Sequence, residues 1–311
     1  MEGLVLRGSR NVFTVRTDEP GGVELECRIK GKVLKGVENF YNPLAPGDRV
    51  SLETGGLHTG TALITAVRER RGILTRFNQK GQKSQILAAN VSLVLCVTSP
   101  VSPPFRPRFV DRLLVQAEAA GLTPLILCNK YDLAGQAEAG MEERLRDYER
   151  IGYAVLRLSA KTGQGMDELR RLMAGAVSVI LGQSGVGKST LINGLSPGLN
   201  MKTGRINEKY DRGNHTTTLS VMLELSRESA PSTFVIDTPG IRRMVPDGVS
   251  PADLIHYMKE FAPLAGRCTY GLSCSHKSEP GCGIREAVAA GTIHRDRYES
   301  FVRIGEELAA L

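Results

Sequence analysis

Two hydrophobic rhythms divide the chain. In residues 4–17, 23–34, 47–53 and 59–67 apolar and polar positions alternate over short runs, and the turn-forming stretches DEPGG, NPLAPGD and TGG separate them. Four or five short strands with no helical period predict a small β-barrel, of the OB-fold or the SH3-like kind, which periodicity does not separate. From residue 91 the rhythm changes. VSLVLCV and TPLILCN are unbroken apolar runs, as parallel strands buried on both faces require. Between them RFVDRLLVQAEAAG places apolar residues at helical spacing and stops at Gly121. A helix near 142–151, a strand at 154–158, a helix near 166–174, the strand AVSVIL, a helix near 188–195 and strands at 219–225 and 233–237 continue the alternation. Such a series predicts a doubly wound, mostly parallel sheet. Beyond Gly240 the alternation stops: ADLIHYMKEFAPL predicts a short helix, a cysteine-rich piece follows, and a last helix spans about 295–310. The expected layout is multi-domain, with a barrel and basic linker over 1–85, an α/β domain over 86–245 and a small C-terminal domain over 246–311.

Composition narrows the class without naming a chemistry. The chain has 311 residues, 41% apolar and 23% charged, ordinary values for a globular protein. No apolar run reaches the ~20 residues of a membrane span. The N-terminus MEGLVLRGSR lacks the charged start, apolar stretch and cleavage site of a signal peptide, so a cytoplasmic protein with no membrane partner is expected. Of the net charge of +7, residues 1–85 carry +5, with 14 basic and 9 acidic residues. Positions 66–83 alone hold Arg68, Arg70, Arg71, Arg76, Lys80 and Lys83 against Glu69. That stretch reads either as a surface for nucleic-acid phosphates or as a solvated charged hairpin. Cys27, Cys96 and Cys128 lie in apolar, strand-like surroundings and are expected to be buried.

The chemistry begins at residues 182–189. GQSGVGKS fits the phosphate-binding loop pattern, here following a strand and opening a helix. Gly182 and Gly187 allow the backbone of Gln183, Ser184, Gly185 and Val186 to curl with its N–H groups turned toward a β-phosphate. Lys188 can bridge the β- and γ-phosphates, the Ser189 hydroxyl can bind Mg2+, and Thr190 continues the first helical turn, whose positive end faces the same anion. This loop does not choose between ATP and GTP. NKYD does: Asn129, Lys130 and Asp132 follow a buried strand, and a carboxylate at 132 can accept from the N1–H and the exocyclic amine of guanine. Adenine offers no such pair of donors and would leave Asp132 unpaired. SAK, at Ser159, Ala160 and Lys161, matches a second base-contacting loop whose backbone N–H would meet the guanine O6.

DTPG at 237–240 follows the strand TFVID. Asp237 can hold Mg2+ through water, and the Gly240 N–H can sense the γ-phosphate. Between this loop and the phosphate loop lies RGNHTTT, residues 212–218, where a threonine must reach Mg2+. Thr217 is the choice, with Thr216 and Thr218 open because spacing does not resolve a repeat. The chain order is therefore guanine reader, second base loop, phosphate loop, switch threonine, γ-phosphate sensor. Cutting an ordinary GTPase between sensor and guanine reader and joining its old ends gives this order, and it places everything after residue 240 directly beside the switch. Where a water-orienting glutamine usually follows the sensor glycine stands Ile241, which cannot position a water. Low intrinsic turnover is expected, and His215 is the nearest candidate for the missing catalytic group, the alternative being that it packs or meets RNA.

Cys268, Cys274, His276 and Cys282 supply three thiolates and one imidazole in a glycine-rich stretch. Four such ligands make a closed tetrahedral set for a structural zinc, ahead of a redox thiol cluster. His256 and His294 sit in charged helical surroundings and fit surface positions.

LAANV, NKYDL, GQSGVGKSTLIN, RGNHTTT, IDTPGIR and the terminal cysteines together resemble the RsgA family of small-ribosomal-subunit biogenesis GTPases, along essentially the whole chain. The resemblance implies an N-terminal OB-fold, a circularly permuted P-loop GTPase and a small zinc-binding helical domain. It further implies GTP and GDP with Mg2+, one structural Zn2+, and a slow GTPase accelerated by the 30S subunit. A cytoplasmic monomer that binds the subunit's rRNA, acts late in its maturation and leaves on hydrolysis is expected, with His215 as the catalytic histidine. Asn214 departs from the family pattern, in which a basic residue precedes this histidine. The competing readings are a GTP-regulated RNA-binding module and a P-loop kinase using ATP.

Overall fold

The computed structural model describes residues 1–9, 11–31, 34, 37, 39–53, 60–199, 220–226, 232–239 and 244–311. The stretch read as 4–17 is two strands, β1 (Glu2–Ser9) and β2 (Val12–Thr17), joined as a hairpin. With β3 (Glu24–Ile29), β4 (Arg49–Glu53) and β5 (Thr61–Val67) they run in the order β1-β2-β3-β5-β4, and β4 pairs back onto β1 to close a five-stranded barrel. β3 and β5 pair in parallel, which a simple run of hairpins cannot produce, and this is the OB-fold order. Alternate residues point inward, so Val5, Phe13, Val15, Leu25, Cys27, Val50, Leu52 and Ile64 fill the barrel.

The basic stretch enters a hairpin of its own, β6 (Ile73–Asn78) and β7 (Lys83–Ala89). Part of its charge is already matched, at Arg68 and Arg70. Arg70 is buried, forks onto the fully buried Asp48 at 2.7 and 2.9 Å and donates to the Pro43 carbonyl at 2.9 Å. Arg68 pairs with Glu2, and Arg76 donates to the neutral Gln85. The boundary expected after residue 85 falls inside β7.

Next come β8 (Leu93–Thr98), α1 (Pro107–Ala119), β9 (Thr123–Cys128), α2 (Met141–Arg150), β10 (Ala154–Arg157), α3 (Met166–Met173), β11 (Val177–Gly182), α4 (Lys188–Leu195), β12 (Val221–Ser226) and β13 (Thr233–Asp237). Their order in the sheet is β10-β9-β8-β11-β13-β12, parallel except for β12, which runs antiparallel to β13. Every residue of β8 is buried. Val94 and Cys96 face a core with Val110, Leu113 and Leu114 of α1 and Leu145 and Tyr148 of α2. Leu93, Leu95 and Val97 face the other, with Leu169 of α3 and Leu191 and Ile192 of α4. Burial leaves all three sheet cysteines as neutral thiols, with Cys27 pushed up to about 11 and Cys128 to about 12.

The barrel is attached to this sheet. β1 pairs β12 at Arg7–Val221, and Arg16 donates to Glu224 at 2.7 Å while lying over the Phe234 ring. On the opposite flank the C-terminal residues pack on α1. The helix expected over 252–264 is instead two short 3-10 turns, Asp253–Tyr257 and Ala262–Leu264, split by an extended Met258. Pro263 lacks an N–H and disfavours helical geometry at Ala262, so the apolar spacing is met by turns that still bury Leu254, Ile255, Met258 and Phe261. Two helices follow, α5 (Gly283–Ala289), which the sequence pattern missed, and α6 (Arg295–Ala309). Asp111 of α1, fully buried, accepts from Arg144, Tyr148, Arg297 and Ser300, and Arg297 also pairs with Glu260. Burial would raise the Asp111 carboxyl, but Arg297 and Arg144 more than reverse it and hold it below the usual range. No helix among the described residues is long and apolar enough to cross a membrane.

Candidate functional site

The phosphate-binding loop forms where β11 leaves the sheet. A Cβ at Gly182 would stand 2.7 Å from the Val97 carbonyl, so only glycine lets the strand end this close to β8. Gly187 has φ +93°, and a Cβ there would lie 2.4 Å from Asn129 Nδ2. Between them Gln183 is half-buried, Ser184 and Gly185 are exposed and Val186 is buried in the core. Lys188 opens α4 and folds back, its Nζ donating to the carbonyls of Gly182 and Gln183 at 3.0 Å each. Burial lowers its pKa, against the opposing pull of Asp237. Ser189 and Thr190 are half-buried in the same first turn.

Asn129 joins this loop to the two base loops. Its Nδ2 donates to the Val186 carbonyl at 2.8 Å, and its Oδ1 accepts from the Ala160 N–H at 3.1 Å. The residue is only 2% exposed; the Val186 bond is buried and the Ala160 bond partly so. Lys130 has φ +61° and reaches across to the Ser102 carbonyl at 2.6 Å. Asp132 is exposed on the 3-10 turn Tyr131–Gln136, as a base-reading carboxylate must be. Ser159 is fully buried, with its hydroxyl accepting from the Thr162 N–H at 3.2 Å, and Lys161 is exposed. The Ala160 N–H, one candidate for the guanine O6, is thus already held by Asn129.

Asp237 ends β13 beside the phosphate loop, in register with Ile180 of β11. It is 5% exposed, and burial pushes its carboxyl up to about 6, against the pull of Lys188. Its Oδ1 meets no donor among the described residues. An unpaired buried carboxylate next to a phosphate loop fits a hard divalent cation, which takes oxygen ligands. Thr238 is held by its hydroxyl on the Ile180 carbonyl at 2.7 Å. His215, Thr216, Thr217, Thr218, Asn214, Gly240 and Ile241 lie outside the described residues. Motif reading missed the wall built by Ser99, Ser102 and Pro103. The only signal for it was a turn-rich SPVSPPF directly after a buried strand.

The second site lies in the C-terminal domain. Ligand atoms of Cys268, Cys274, His276 and Cys282 all fall within 4.8 Å of one another, and all four residues are buried. His276 presents Nδ1, 3.4 Å from Cys268 Sγ and 3.5 Å from Cys282 Sγ, and the two sulfurs are 3.9 Å apart. A tetrahedron with zinc-type bond lengths has edges of about 3.5 Å for N to S and about 3.8 Å for S to S. The donor set and its spacing therefore fit a four-coordinate zinc. His256 is exposed, and His294 caps α6 by accepting from the Asp296 N–H at 3.1 Å.

Fold and loops together define a P-loop GTPase whose base-reading loops precede its phosphate loop in the chain. The sequence pattern of the RsgA GTPase family matches residues 67–245. The small ribosomal subunit biogenesis GTPase RsgA of Bacteroides fragilis is 37% identical, over 99% of this chain and 97% of its own length. The protein of that name from Chlorobaculum tepidum is 38% identical over 99% and 98%. The crystal structure of YjeQ from Thermotoga maritima aligns with a TM-score of 0.72 and 32% identity, over 100% of this chain and 99% of that one. YloQ, a circularly permuted GTPase, shares the fold with a TM-score of 0.66 at 23% identity, over 99% and 95% of the two chains. The chain belongs to the RsgA GTPase family.

Proposed function

We propose that this GTPase acts in the biogenesis of the small ribosomal subunit, docking on the maturing 30S particle with GTP bound and leaving when GTP is hydrolysed. The observation that carries the reading is the buried Asn129, which ties a guanine-reading turn, a second base loop and a phosphate loop into one pocket. In this reading Asp132 accepts from the guanine N1–H and amine. The N–H groups of residues 183–188 and the start of α4 hold the β-phosphate, and Lys188 leaves its two carbonyls for the β- and γ-oxygens. Ser189 and Thr217, with Asp237 through water, would hold Mg2+, which would supply charge neutralisation at the phosphates. Gly240 reports the γ-phosphate. His215 orients the attacking water, because Ile241 cannot. Cys268, Cys274, His276 and Cys282 hold one structural Zn2+. Barrel and basic linker (1–85), GTPase (86–245) and zinc domain (246–311) work as three units of a cytoplasmic monomer, the first and last meeting rRNA. Support for the partner comes from relatives whose names specify small-subunit biogenesis.

The test is GTP turnover at physiological Mg2+, alone and with purified small subunits, with large subunits and ATP as controls. Stimulation by small subunits alone, with GTP alone, is the expected result; equal turnover in all arms would sink the reading. Ile241 favours one second reading, an RNA-binding switch in which hydrolysis is incidental. A His215→Ala variant separates the two. Loss of stimulated turnover with intact subunit binding supports the enzyme, and unchanged turnover supports the switch.

A further inference from the structure

The Asp132 turn touches the core through the half-buried Tyr131 and Ala134. None of residues 131–136 is buried, Lys130 before it is left-handed, and no side chain caps it. A guanine-reading carboxylate needs to be fixed to well under an ångström for its two hydrogen bonds to discriminate. A polar tie from α2 adds to that packing. Glu142, in the first turn of that helix, accepts from the Tyr131 hydroxyl at 3.0 Å through Oε2. Its Oε1 accepts from Arg157 at 3.0 Å (Nε) and 2.8 Å (Nη2). Arg157 ends β10, two residues before Ser159, and also donates to Glu149, two helical turns along the same face of α2. The Tyr131 N–H closes the ring by donating to the Leu158 carbonyl at 3.0 Å.

Tyr131 and Arg157 therefore flank the two base loops, one next to Asp132 and the other next to the Ser159–Lys161 loop, and one carboxylate joins them. Burial raises the Glu142 carboxyl, but the bonds from Arg157 and Tyr131 more than reverse this, so it stays ionised and accepting. Arg146 adds a weaker contact at 3.6 Å from the solvent side. We propose that Glu142 is a positioning residue for guanine selectivity: acting through Tyr131 and Arg157, it sets the distance and angle between Asp132 and the second base loop. The proposal rests on the reading of Asp132 as the guanine reader.

The test measures affinities for GDP and IDP, which lacks the 2-amino group, together with kcat and KM for GTP. Tyr131→Phe removes only the hydroxyl, Glu142→Ala removes the junction, and Glu142→Gln keeps an acceptor. Tyr131→Phe and Glu142→Ala are each expected to shrink the GDP-to-IDP preference about fivefold. The effect should appear in KM while kcat changes little. The double variant should be no worse than Glu142→Ala, and Glu142→Gln should recover part of the loss. An unchanged GDP-to-IDP ratio in both single variants overturns the proposal, even if their melting temperatures fall, because a merely structural contact moves stability and not selectivity. Asp132→Asn, assayed with xanthine nucleotides, tests the underlying reading separately. If it gains xanthine nucleotide binding while the other variants keep the wild-type ratio, only the positioning role fails; if it gains none, the base reading itself fails.

Discussion

One carboxamide, that of Asn129, ties together loops that lie 31 and 57 residues away in the chain. One bond is buried and the other partly so, and Asn129→Ala leaves the Val186 carbonyl and the Ala160 N–H without this partner. At about 1 kcal/mol for each bond, the variant should weaken GDP binding about 30-fold, measured by calorimetric titration. Asp237 shows the opposite economy, a buried carboxylate with an oxygen left unmatched. Its folded pKa of about 6 lies above the ordinary 3.8, so the folded state binds the extra proton. Its contribution to stability is therefore full below pH about 3.8 and lost as pH rises through about 6. In the absence of nucleotide and Mg2+, Asp237→Asn should raise the melting temperature at pH 8 and not at pH 4, by up to about 3 kcal/mol of stability. With Mg2+ and GTP present it should instead weaken binding. The motif residues were legible because phosphate and base chemistry restrict residue type and spacing together. Ser102 and Glu142 were not, because they meet the pocket only through the folded chain.

Among the elements, those with one unambiguous period read directly from the sequence. β8 and β9 are short, apolar but for one threonine each, and bounded by turns, and α1 has a helical stripe ending at a glycine. Where two signals conflict, the pattern misleads. Leu254, Ile255, Met258 and Phe261 have helical spacing, yet Pro263 and the extended Met258 break the element into turns. The basic run reads as free charge, yet Arg70 is committed to Asp48, a partner 22 residues earlier that the antiparallel pairing of β4 with β5 brings near. The cysteine segment was legible by ligand type although it has almost no regular structure. Its three thiols and imidazole are buried beside Phe261 and Phe301, so with zinc bound as proposed the metal would order the segment. A chelator at neutral pH should release one zinc per chain, expose three titratable thiols and lower the melting temperature. Cys274→Ser should bind zinc less tightly and melt earlier without a change in GDP affinity.

At the scale of the whole molecule, the central sheet is gripped from both flanks by different means. The C-terminal domain is held by a charge network in which Asp111 and Arg297 are fully buried. Removing one partner strands the others, so Asp111→Ala should cost about 3–5 kcal/mol in denaturant unfolding. Because the Asp111 carboxyl is held below its ordinary 3.8, its contribution is present above that pH and is lost as pH falls through the depressed value. Acid should therefore unfold the wild type through this carboxylate, and the variant's curve should flatten there. The barrel, by contrast, is held through the backbone of β1 on β12 and the Arg16–Glu224 pair. That attachment makes the barrel a cover for the Val221 end of β12. A fragment starting at residue 86 would cut β7 and uncover the Val221 end of β12, where β1 pairs with it, extending an open strand edge that a neighbouring chain can use as a template. The fragment should form sheet-linked aggregates where the full chain stays dispersed, so in this permuted protein the barrel also protects the GTPase sheet from self-association.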